Sequence, residues 1–543
     1  MKSGVTAMKI DLNNFDPQDK TKVIPIQPLI DPGNLDESDP YLTRSERTYI
    51  QAIKKDLPKN QYQQAVLSML EKLQGNILKG HDRDRVVLFF LRFKPNKQEE
   101  IKQQMATFVD YITNCRLQMQ EWRLYHNFRI PGGSFGNFFL TARGYHALLA
   151  KPEERFEDFK KTLIGLGFSD SFVNGMAKAK LNDPGVESWE TSYQNPDDIH
   201  AMILIAEDDE NILGQKVRLV LKDVLQVGHL ADIIGVEKAF QQRSENGEPT
   251  EHFGFRDGLS NPMFLATDEE KINKYGGVKP WDPWAPLSVA LTPDPLVKDQ
   301  ENCFGSYLVY RKYEQHVRTF EVVVRNLATS LGMNSEAEED LERVRGLIVG
   351  RFKNGTPITL RPIPYDQTWE NIYNNFTYEQ DEGSRCPFHA HIRKANPRLD
   401  KFRQDGSRED RIVRRGITYA TRHPDQETKS GLAYLPNSGI GLLFMSFQSN
   451  LENFERIHRE MINNPDFQAK DTGLDALIGQ AGDQEPALPQ KWPLSWGKSA
   501  SRSVNAISSC ITLKGGEYFF APSIAFLRSL ATAPEGQKSS HAV

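Results

Sequence analysis

The sequence has 543 residues, 38% of them apolar, which is enough to build at least two hydrophobic cores. Its 67 basic and 72 acidic residues leave a formal charge of −5, without the basic excess expected of a surface that binds nucleic acid or anionic membranes. The first thirty residues contain no apolar run of signal-peptide length, and no later segment has about 18 consecutive apolar residues. We therefore expect a soluble cytoplasmic protein with no nucleic-acid or membrane partner.

Residues 1–60 are rich in polar residues and proline and show no sustained apolar period, so we predict a polar N-terminal extension over 1–69. Beyond it, apolar runs and periodicity predict strands that alternate with helices. The predicted strands cover 86–93, 137–141, 200–206, 305–311 and 440–447. The predicted helices cover 101–112, 212–224, 320–331, 341–352 and 454–462.

This alternation is compatible with a doubly wound dinucleotide-binding fold, but the first strand is not followed by a G-x-G-x-x-G turn. The glycine-rich stretch 132–136 precedes a strand and does not open a helix, so phosphate binding is not expected there. Five prolines in 278–295 interrupt every period. They predict a boundary between a domain over 70–280 and a second domain over 281–530, followed by a flexible tail over 531–543.

Two segments about 130 residues apart carry the residues with the most chemical content. The first, G-F-R-D-G at 254–258, holds the Asp257 carboxylate beside an arginine, and irregular backbone able to approach a flat ligand follows it. The second, C-P-F-H-A-H-I-R-K-A-N-P-R at 386–398, offers imidazoles from His389 and His391 without the cysteine pair of a zinc site. An acid and a single imidazole ligand suit haem better than zinc.

These two segments, together with R-I-V-R-R-G-I-T-Y at 411–419, resemble the signature of the dye-decolourising peroxidases, a haem family. The resemblance extends to L-Q-G-N-I-L-K-G-H at 73–81, G-L-L-F at 441–444 and G-G-E-Y-F-F-A-P-S at 515–523. It thus runs from roughly residue 70 to roughly residue 530, and the order and spacing of the segments make it specific.

The resemblance implies an α+β fold of tandem ferredoxin-like domains, each an antiparallel sheet flanked by helices, with haem held in the C-terminal half. It implies His391 as the iron ligand, Asp257 as the acid–base that moves the peroxide proton, and Arg414 as the distal arginine. The remaining residues expected at the cofactor are Leu259, Ser260, Asn261, Arg393, Leu442, Phe444 and Asp475, the last accepting the other N–H of His391. The C-x-x-C-H pattern that attaches haem covalently is absent, so the expected cofactor is non-covalent haem b.

Several of these residues have ordinary structural alternatives. Asp257 is compatible with a turn residue that bonds its own loop, and Asp475 with a helix N-cap. Leu442 and Phe444, which share one face of a predicted strand, are compatible with ordinary core packing. Cys386 fits a small buried apolar residue better than a thiolate ligand, and we expect all four cysteines to be free thiols.

The basic and imidazole neighbours of these residues need separate assignments. On a helix, His389 and His391 would lie about 200° apart, so only one could face the iron, and the family pattern selects His391. Arg411 and Arg415 are expected at the surface or paired with haem propionates.

The expected reaction is reduction of hydrogen peroxide with one-electron oxidation of phenols or anthraquinone-type dyes. Donors too large for the pocket would deliver electrons through surface aromatic residues. Haem transport without turnover, or a non-enzymatic interaction protein with a vestigial haem site, are the alternatives. Asp257 and Arg414 together favour the peroxidase. The sequence leaves a homo-oligomer open and does not identify the physiological donor.

Overall fold

The computed structural model describes residues 61–297, 301–365, 374–400, 411–420, 431–481 and 489–531, apart from 506, 508 and 509. Residues 1–60 of the extension predicted over 1–69, and the predicted tail beyond residue 531, lie outside these ranges. Residues 61–69 belong to a helix, Gln61–Lys72, in which Val66 and Leu70 are buried, so this part is not a polar extension. Within them, no helix has the length and apolar character needed to cross a membrane. The division into domains at residue 280 stays a prediction.

The described strands are β1 Arg85–Phe93, β2 Phe135–Leu140, β3 Ala201–Glu207, β4 Ala231–Phe240, β5 Thr292–Pro293, β6 Phe304–Gln315, β7 Val413–Arg414, β8 Ile417–Tyr419, β9 Gly441–Gln448, β10 Gln490–Pro493, β11 Ser501–Val504 and β12 Ile511–Ala521. The described α-helices are α1 Gln61–Lys72, α2 Gln98–Phe108, α3 Cys115–Phe128, α4 Ala142–Leu149, α5 Phe156–Leu166, α6 Asp170–Asn174, α7 Glu210–Leu219, α8 Glu269–Lys274, α9 Val317–Leu331, α10 Glu338–Val349, α11 His391–Ala395, α12 Leu451–Arg456 and α13 Ile524–Ser529.

The first half of the sheet is built from β1 to β4. β1 is an almost continuous apolar run, and it pairs antiparallel with β3 on one side and β4 on the other. β3 also pairs with β2, which gives the order β2-β3-β1-β4. With α2 after β1 and α7 after β3, this is the β-α-β-β-α-β arrangement of a ferredoxin-like unit.

The second half repeats the same order with β6, β8, β9 and β12. β6 pairs antiparallel with both β12 and β9, and β9 pairs with β8, which gives β12-β6-β9-β8. The helices α9 and α12 follow β6 and β9, as α2 and α7 follow β1 and β3. The expected tandem ferredoxin-like α+β fold is confirmed.

The two four-stranded halves close into one barrel-like sheet through two short contacts. Phe520 of β12 pairs with Leu140 of β2, and Ala239 of β4 pairs with Tyr419 of β8. One large apolar cluster fills the space between the halves, and a second one packs beneath α9 and α10, where Phe320 and Ile348 are buried. The functional residues lie beside this second cluster.

The predicted elements were found with small shifts at their ends. The helix predicted over 341–352 ends at Val349, because Gly350 adopts a left-handed backbone with φ of 97°. The helix predicted over 454–462 begins earlier, at Leu451, and its last part is a π-type turn over 457–462. The prediction missed further elements, among them β4, β12 and the helices α1, α3, α4 and α5. β4 is only partly buried, so it lacks the apolar run on which the prediction relied.

Candidate functional site

One cavity of about 260 Å³ collects most of the predicted site residues. Its lining includes, from the predicted set, Asp257, Leu259, Ser260, His391, Arg414, Leu442 and Phe444. Its other walls are largely apolar and come from Phe253, Phe255, Tyr313, Ile392, Ile457, Ile462, Leu477 and Ile478. These side chains, which lie up to 225 positions apart in the sequence, from Phe253 to Ile478, therefore meet around one apolar cavity.

His391 is held in the cavity wall by a buried carboxylate. It is the first residue of α11, and its Nδ1 lies 2.9 Å from Oδ2 of Asp475, whose side chain has no exposed surface. An ionised carboxylate can only accept, so Nδ1 is the donor, and the neutral imidazole then keeps its lone pair on Nε2. This is the arrangement by which proteins fix the tautomer of a metal-binding histidine.

Asp475 combines both roles that the sequence allowed. Its Oδ1 accepts from the backbone N–H groups of Leu477 at 2.8 Å and Ile478 at 2.9 Å, as a capping residue does, while Oδ2 faces His391. Burial acts to raise the pKa of Asp475, but the contact with His391 and the two backbone donors outweigh it. The pKa of Asp475 therefore lies below its usual range, which favours the carboxylate form.

His389 lies away from the cavity, as expected, but not for the expected reason. α11 begins only at His391, so the two histidines do not share a helix and the 200° argument does not apply. His389 sits in the preceding turn, with Nδ1 3.1 Å from the carbonyl oxygen of Thr472 and its ring 4.3 Å from that of Trp492. Burial lowers the pKa of His389 to about 3, so it is a neutral core residue.

Arg414 is fixed at the cavity by two neighbouring residues. Its backbone N–H donates to Oδ1 of Asn261 at 3.1 Å, and its carbonyl accepts from Nδ2 of the same side chain at 3.2 Å. Its guanidinium donates to the carbonyl oxygen of Leu259. Asn261 thus holds the backbone of Arg414 in place. Asn261 itself does not line this cavity but lines a second, neighbouring one.

Asp257 lies in a tight turn at the edge of the cavity. The glycines on either side of the motif, Gly254 and Gly258, have left-handed backbones with φ of 92° and 75°. Oδ1 of Asp257 accepts from the backbone N–H of Gly258 at 2.6 Å, as expected of a turn residue that bonds its own loop. The bond to the turn fixes the carboxylate while it still lines the cavity.

A second cavity of about 570 Å³ meets the first at Asp257, Leu259 and Arg414, which line both. Its further lining includes Lys79, His81, Trp122, Tyr275 and Arg415. The predicted acid–base residue and the predicted distal arginine therefore stand where the two cavities join.

Two buried arginines beside Ser260 were not predicted as site residues. Arg351 and Arg398 both line the first cavity, and each donates to Oγ of Ser260, at 2.9 and 2.7 Å, and to Oδ1 of Asn374, at 2.6 and 3.2 Å. Within the described part of the chain, neither forms an ion pair with a carboxylate. Burial lowers the pKa of Arg351 to about 10, and burial together with repulsion from Arg351 lowers the pKa of Arg398 to about 9. Such a pair favours an anionic ligand.

Arg393 does not line the first cavity. Its guanidinium is fully buried between the carboxylates of Asp381, at 3.2 Å, and Asp400, at 2.7 Å. It also lies over the rings of Phe388 and Tyr378, at 4.3 and 4.8 Å. Through these contacts Arg393 stabilises the segment that carries His391 without lining the cavity.

Of the two alternatives expected for Arg411 and Arg415, a surface position is wrong, because Arg411 is buried and Arg415 is half-buried, and both contact backbone carbonyls. Arg411 lines the first cavity and donates to the carbonyl of Trp284 at 2.6 Å. Arg415 donates to the carbonyls of Asn76 and Ile77 at 2.7 and 3.0 Å, and so anchors the segment before β1.

The four cysteines are free and buried, as expected. Burial raises the pKa of Cys386 to about 12, so it is a neutral thiol and not a thiolate ligand. Among the described residues, no cluster of three His, Cys, Asp or Glu side chains is placed to hold a metal ion.

His458 is a second histidine in the cavity wall that sequence reasoning did not single out. It lies in the π-type turn after α12, with Nδ1 3.2 Å from the carbonyl of Phe454. Burial lowers the pKa of His458 to about 3. No motif surrounds it, although π-type turns are frequent at functional sites.

Comparison with known proteins agrees with this geometry. The family pattern "Dyp-type peroxidase, C-terminal" matches residues 248–478. A multifunctional dye peroxidase of Amycolatopsis sp. is 37% identical over 476 residues, which cover 85% of this chain and 96% of that protein. The chain belongs to the Dyp-type peroxidase family. It is therefore a peroxidase.

Solved structures of family members show the same fold. A Dyp-type peroxidase of Anabaena sp. superposes with a TM-score of 0.75 at 39% identity, covering 86% of this chain and 95% of that one. A dye-decolorizing peroxidase of Auricularia auricula-judae is 29% identical over 393 residues, which cover 67% of this chain and 72% of that protein. The family match thus extends from bacterial to fungal relatives.

Proposed function

We propose that this peroxidase binds haem b without a covalent link, reduces hydrogen peroxide and oxidises phenolic or dye-like donors in one-electron steps. The observation that carries the proposal is that an imidazole held by a buried carboxylate, a fixed arginine and a turn carboxylate line one apolar cavity. Dye peroxidases among the relatives support the donor class.

The residues present fit haem. The apolar walls of the cavity suit a porphyrin, and His391 would supply the protein ligand to iron through Nε2. Arg351 and Arg398, buried without a described carboxylate partner, would pair with the propionates. Arg411 is a further propionate candidate at the same cavity. The residues thus match each chemical part of haem.

When bound, haem would supply the iron and the electrons that break the peroxide O–O bond. The protein's task is to move one proton and to stabilise charge. Asp257 would take the proton from one peroxide oxygen and return it to the other. Arg414 would stabilise the negative charge that develops on the departing oxygen, and Asn261 and Leu259 keep it in place before the reaction begins.

The second cavity would admit the peroxide. It meets the first at Asp257 and Arg414, so a small molecule arriving through it would encounter the acid–base residue first. Leu442 and Phe444, which share one face of β9, keep the first cavity narrow and apolar. Bulky donors would then exchange electrons through aromatic residues at the surface. A cytoplasmic location stays a prediction from the sequence.

Haem titration of the purified chain, followed by rapid mixing with hydrogen peroxide, tests this function. We expect stoichiometric haem binding and a fast spectral change with peroxide that a phenolic donor reverses. Tight haem binding with no reaction toward peroxide would instead indicate a haem carrier. A chain that binds no haem would refute the proposal.

A further inference from the structure

The indole of Trp122, on α3, lies beside a cation. Nζ of Lys79 is 3.9 Å from the centroid of the indole ring, and the ring of His126 stacks on it at 5.0 Å with planes 9° apart. Lys79 is 14% exposed, so water screens its charge only in part. The arrangement holds a positive charge close to the electron-rich ring.

The position of Trp122 exposes it to oxidation. Trp122 and Lys79 line the second cavity, which also contains Asp257 and Arg414 in its lining. In the proposed function, the strongly oxidising centre would form next to that pair. Indole is among the side chains that lose an electron most readily, so an unprotected indole here would compete with the donor.

We propose that the ammonium group of Lys79 protects Trp122 from one-electron oxidation. Removing an electron from the indole places a positive charge on the ring, and the ammonium at 3.9 Å repels that charge. The same ammonium attracts the neutral ring, so it stabilises the reduced form and destabilises the oxidised one. Lys79 thus acts on Trp122 and not on the reacting atoms. The inference rests on the proposed function, since the oxidising centre would form only in that reaction.

Asp268 opposes this protection in part. Its Oδ1 lies 3.9 Å from Nζ of Lys79, while Oδ2 accepts from the backbone N–H of Leu265 at 3.1 Å. The carboxylate therefore offsets some of the positive charge near the ring. Substitutions of Lys79 and Asp268 should change the oxidation of Trp122 in opposite directions.

The test uses an oxidant that needs no haem. Photogenerated tris(bipyridine)ruthenium(III) takes one electron from indole, giving ruthenium(II) and an indole radical cation that loses its N–H proton to water and then adds dioxygen. Oxidised Trp122 is counted by peptide mass spectrometry of the full chain. We expect Lys79→Gln to raise the fraction of oxidised Trp122 about tenfold over the parent. Lys79→Arg should keep the parent's value, and Asp268→Asn should fall below it.

Lys271→Gln is the matched control, since it removes the same charge from the second cavity but lies near Tyr275, at 5.7 Å, instead of near the indole. The proposal is overturned if Lys79→Gln does not exceed the parent and Lys271→Gln, or if Lys79→Arg is oxidised as much as Lys79→Gln. Peroxide consumption by the haem-loaded enzyme is measured separately. Its absence would refute the proposed function and leave the ruthenium result standing.

Discussion

Replacing Asp475 with Asn should weaken haem binding while preserving the fold. Asp475 accepts three hydrogen bonds: from Leu477 and Ile478 through Oδ1 and from His391 through Oδ2. Asparagine keeps an oxygen for the two backbone donors but presents an N–H₂ group to Nδ1 of His391. The charge-assisted bond that is lost contributes about 1.5–3 kcal/mol. This corresponds to about 10-fold to about 100-fold in haem affinity.

The assay is a haem titration of the apo-chain followed by Soret absorbance, with the dissociation rate measured by transfer to excess apomyoglobin. The iron–imidazole stretching frequency of the ferrous form, from resonance Raman spectra, should fall as His391 loses anionic character. Asp471→Asn is the matched control, because Asp471 is exposed and close in sequence. An Asp475→Asn chain with the parent's haem affinity and the parent's stretching frequency would refute the role assigned to this carboxylate.

The remaining predictions address ligation, proton transfer, positioning and pH. His391→Ala should lose stable haem, whereas His389→Ala should lower thermal stability but keep haem, because its ring packs in the core. Asp257→Asn should slow the reaction with peroxide by about 100-fold or more at full haem occupancy in stopped-flow measurements. Asn261→Ala removes two hydrogen bonds from the backbone around residue 414 and should slow the same step by about tenfold. Burial raises the pKa of Glu517 to about 7, so the folded state holds a proton that the unfolded state releases, and stability should fall by about 3 kcal/mol from about pH 5 to about pH 8. Glu517→Gln should remove that decline, as thermal unfolding across this pH range would show.

Each of these expectations can fail separately. If His389→Ala loses haem and His391→Ala retains it, the iron ligand is His389 and not His391. If Asp257→Asn reacts with peroxide as fast as the parent, Asp257 only stabilises the turn. If Asn261→Ala reacts as fast as the parent, Arg414 needs no support from Asn261. If Glu517→Gln leaves the pH dependence of thermal unfolding unchanged, Glu517 does not cause the loss of stability at higher pH.

Apolar runs in the sequence predicted the strands that are buried on both faces, such as β1, and the family resemblance supplied His391, Asp257 and Arg414 as expected site residues. The sequence also predicted that His389 faces away from the cavity, but for a wrong reason. The prediction assumed that His389 and His391 share a helix, whereas the helix begins only at His391. The sequence cannot show where a helix starts when a short segment such as 386–398 packs against distant chain.

The residues that the prediction missed depend on contacts over long separations. Arg351 belongs to the cavity because it meets Ser260, 91 positions away, and no local pattern marks that encounter. The family resemblance placed Arg393 at the cofactor. Arg393 faces Asp381 and Asp400 instead, and their carboxylates neutralise its buried charge. His458 entered the cavity wall through a π-type turn, which periodicity does not reveal.

The most direct test of the central claim is the absorption spectrum of the haem-loaded chain before and after one equivalent of hydrogen peroxide, compared with Asp257→Asn at equal haem content. We predict a Soret band that depends on His391, a rapid change of that band with peroxide in the parent, and a change about 100-fold slower in the variant. A Soret band that peroxide leaves unchanged, or that changes equally fast in both proteins, would contradict it.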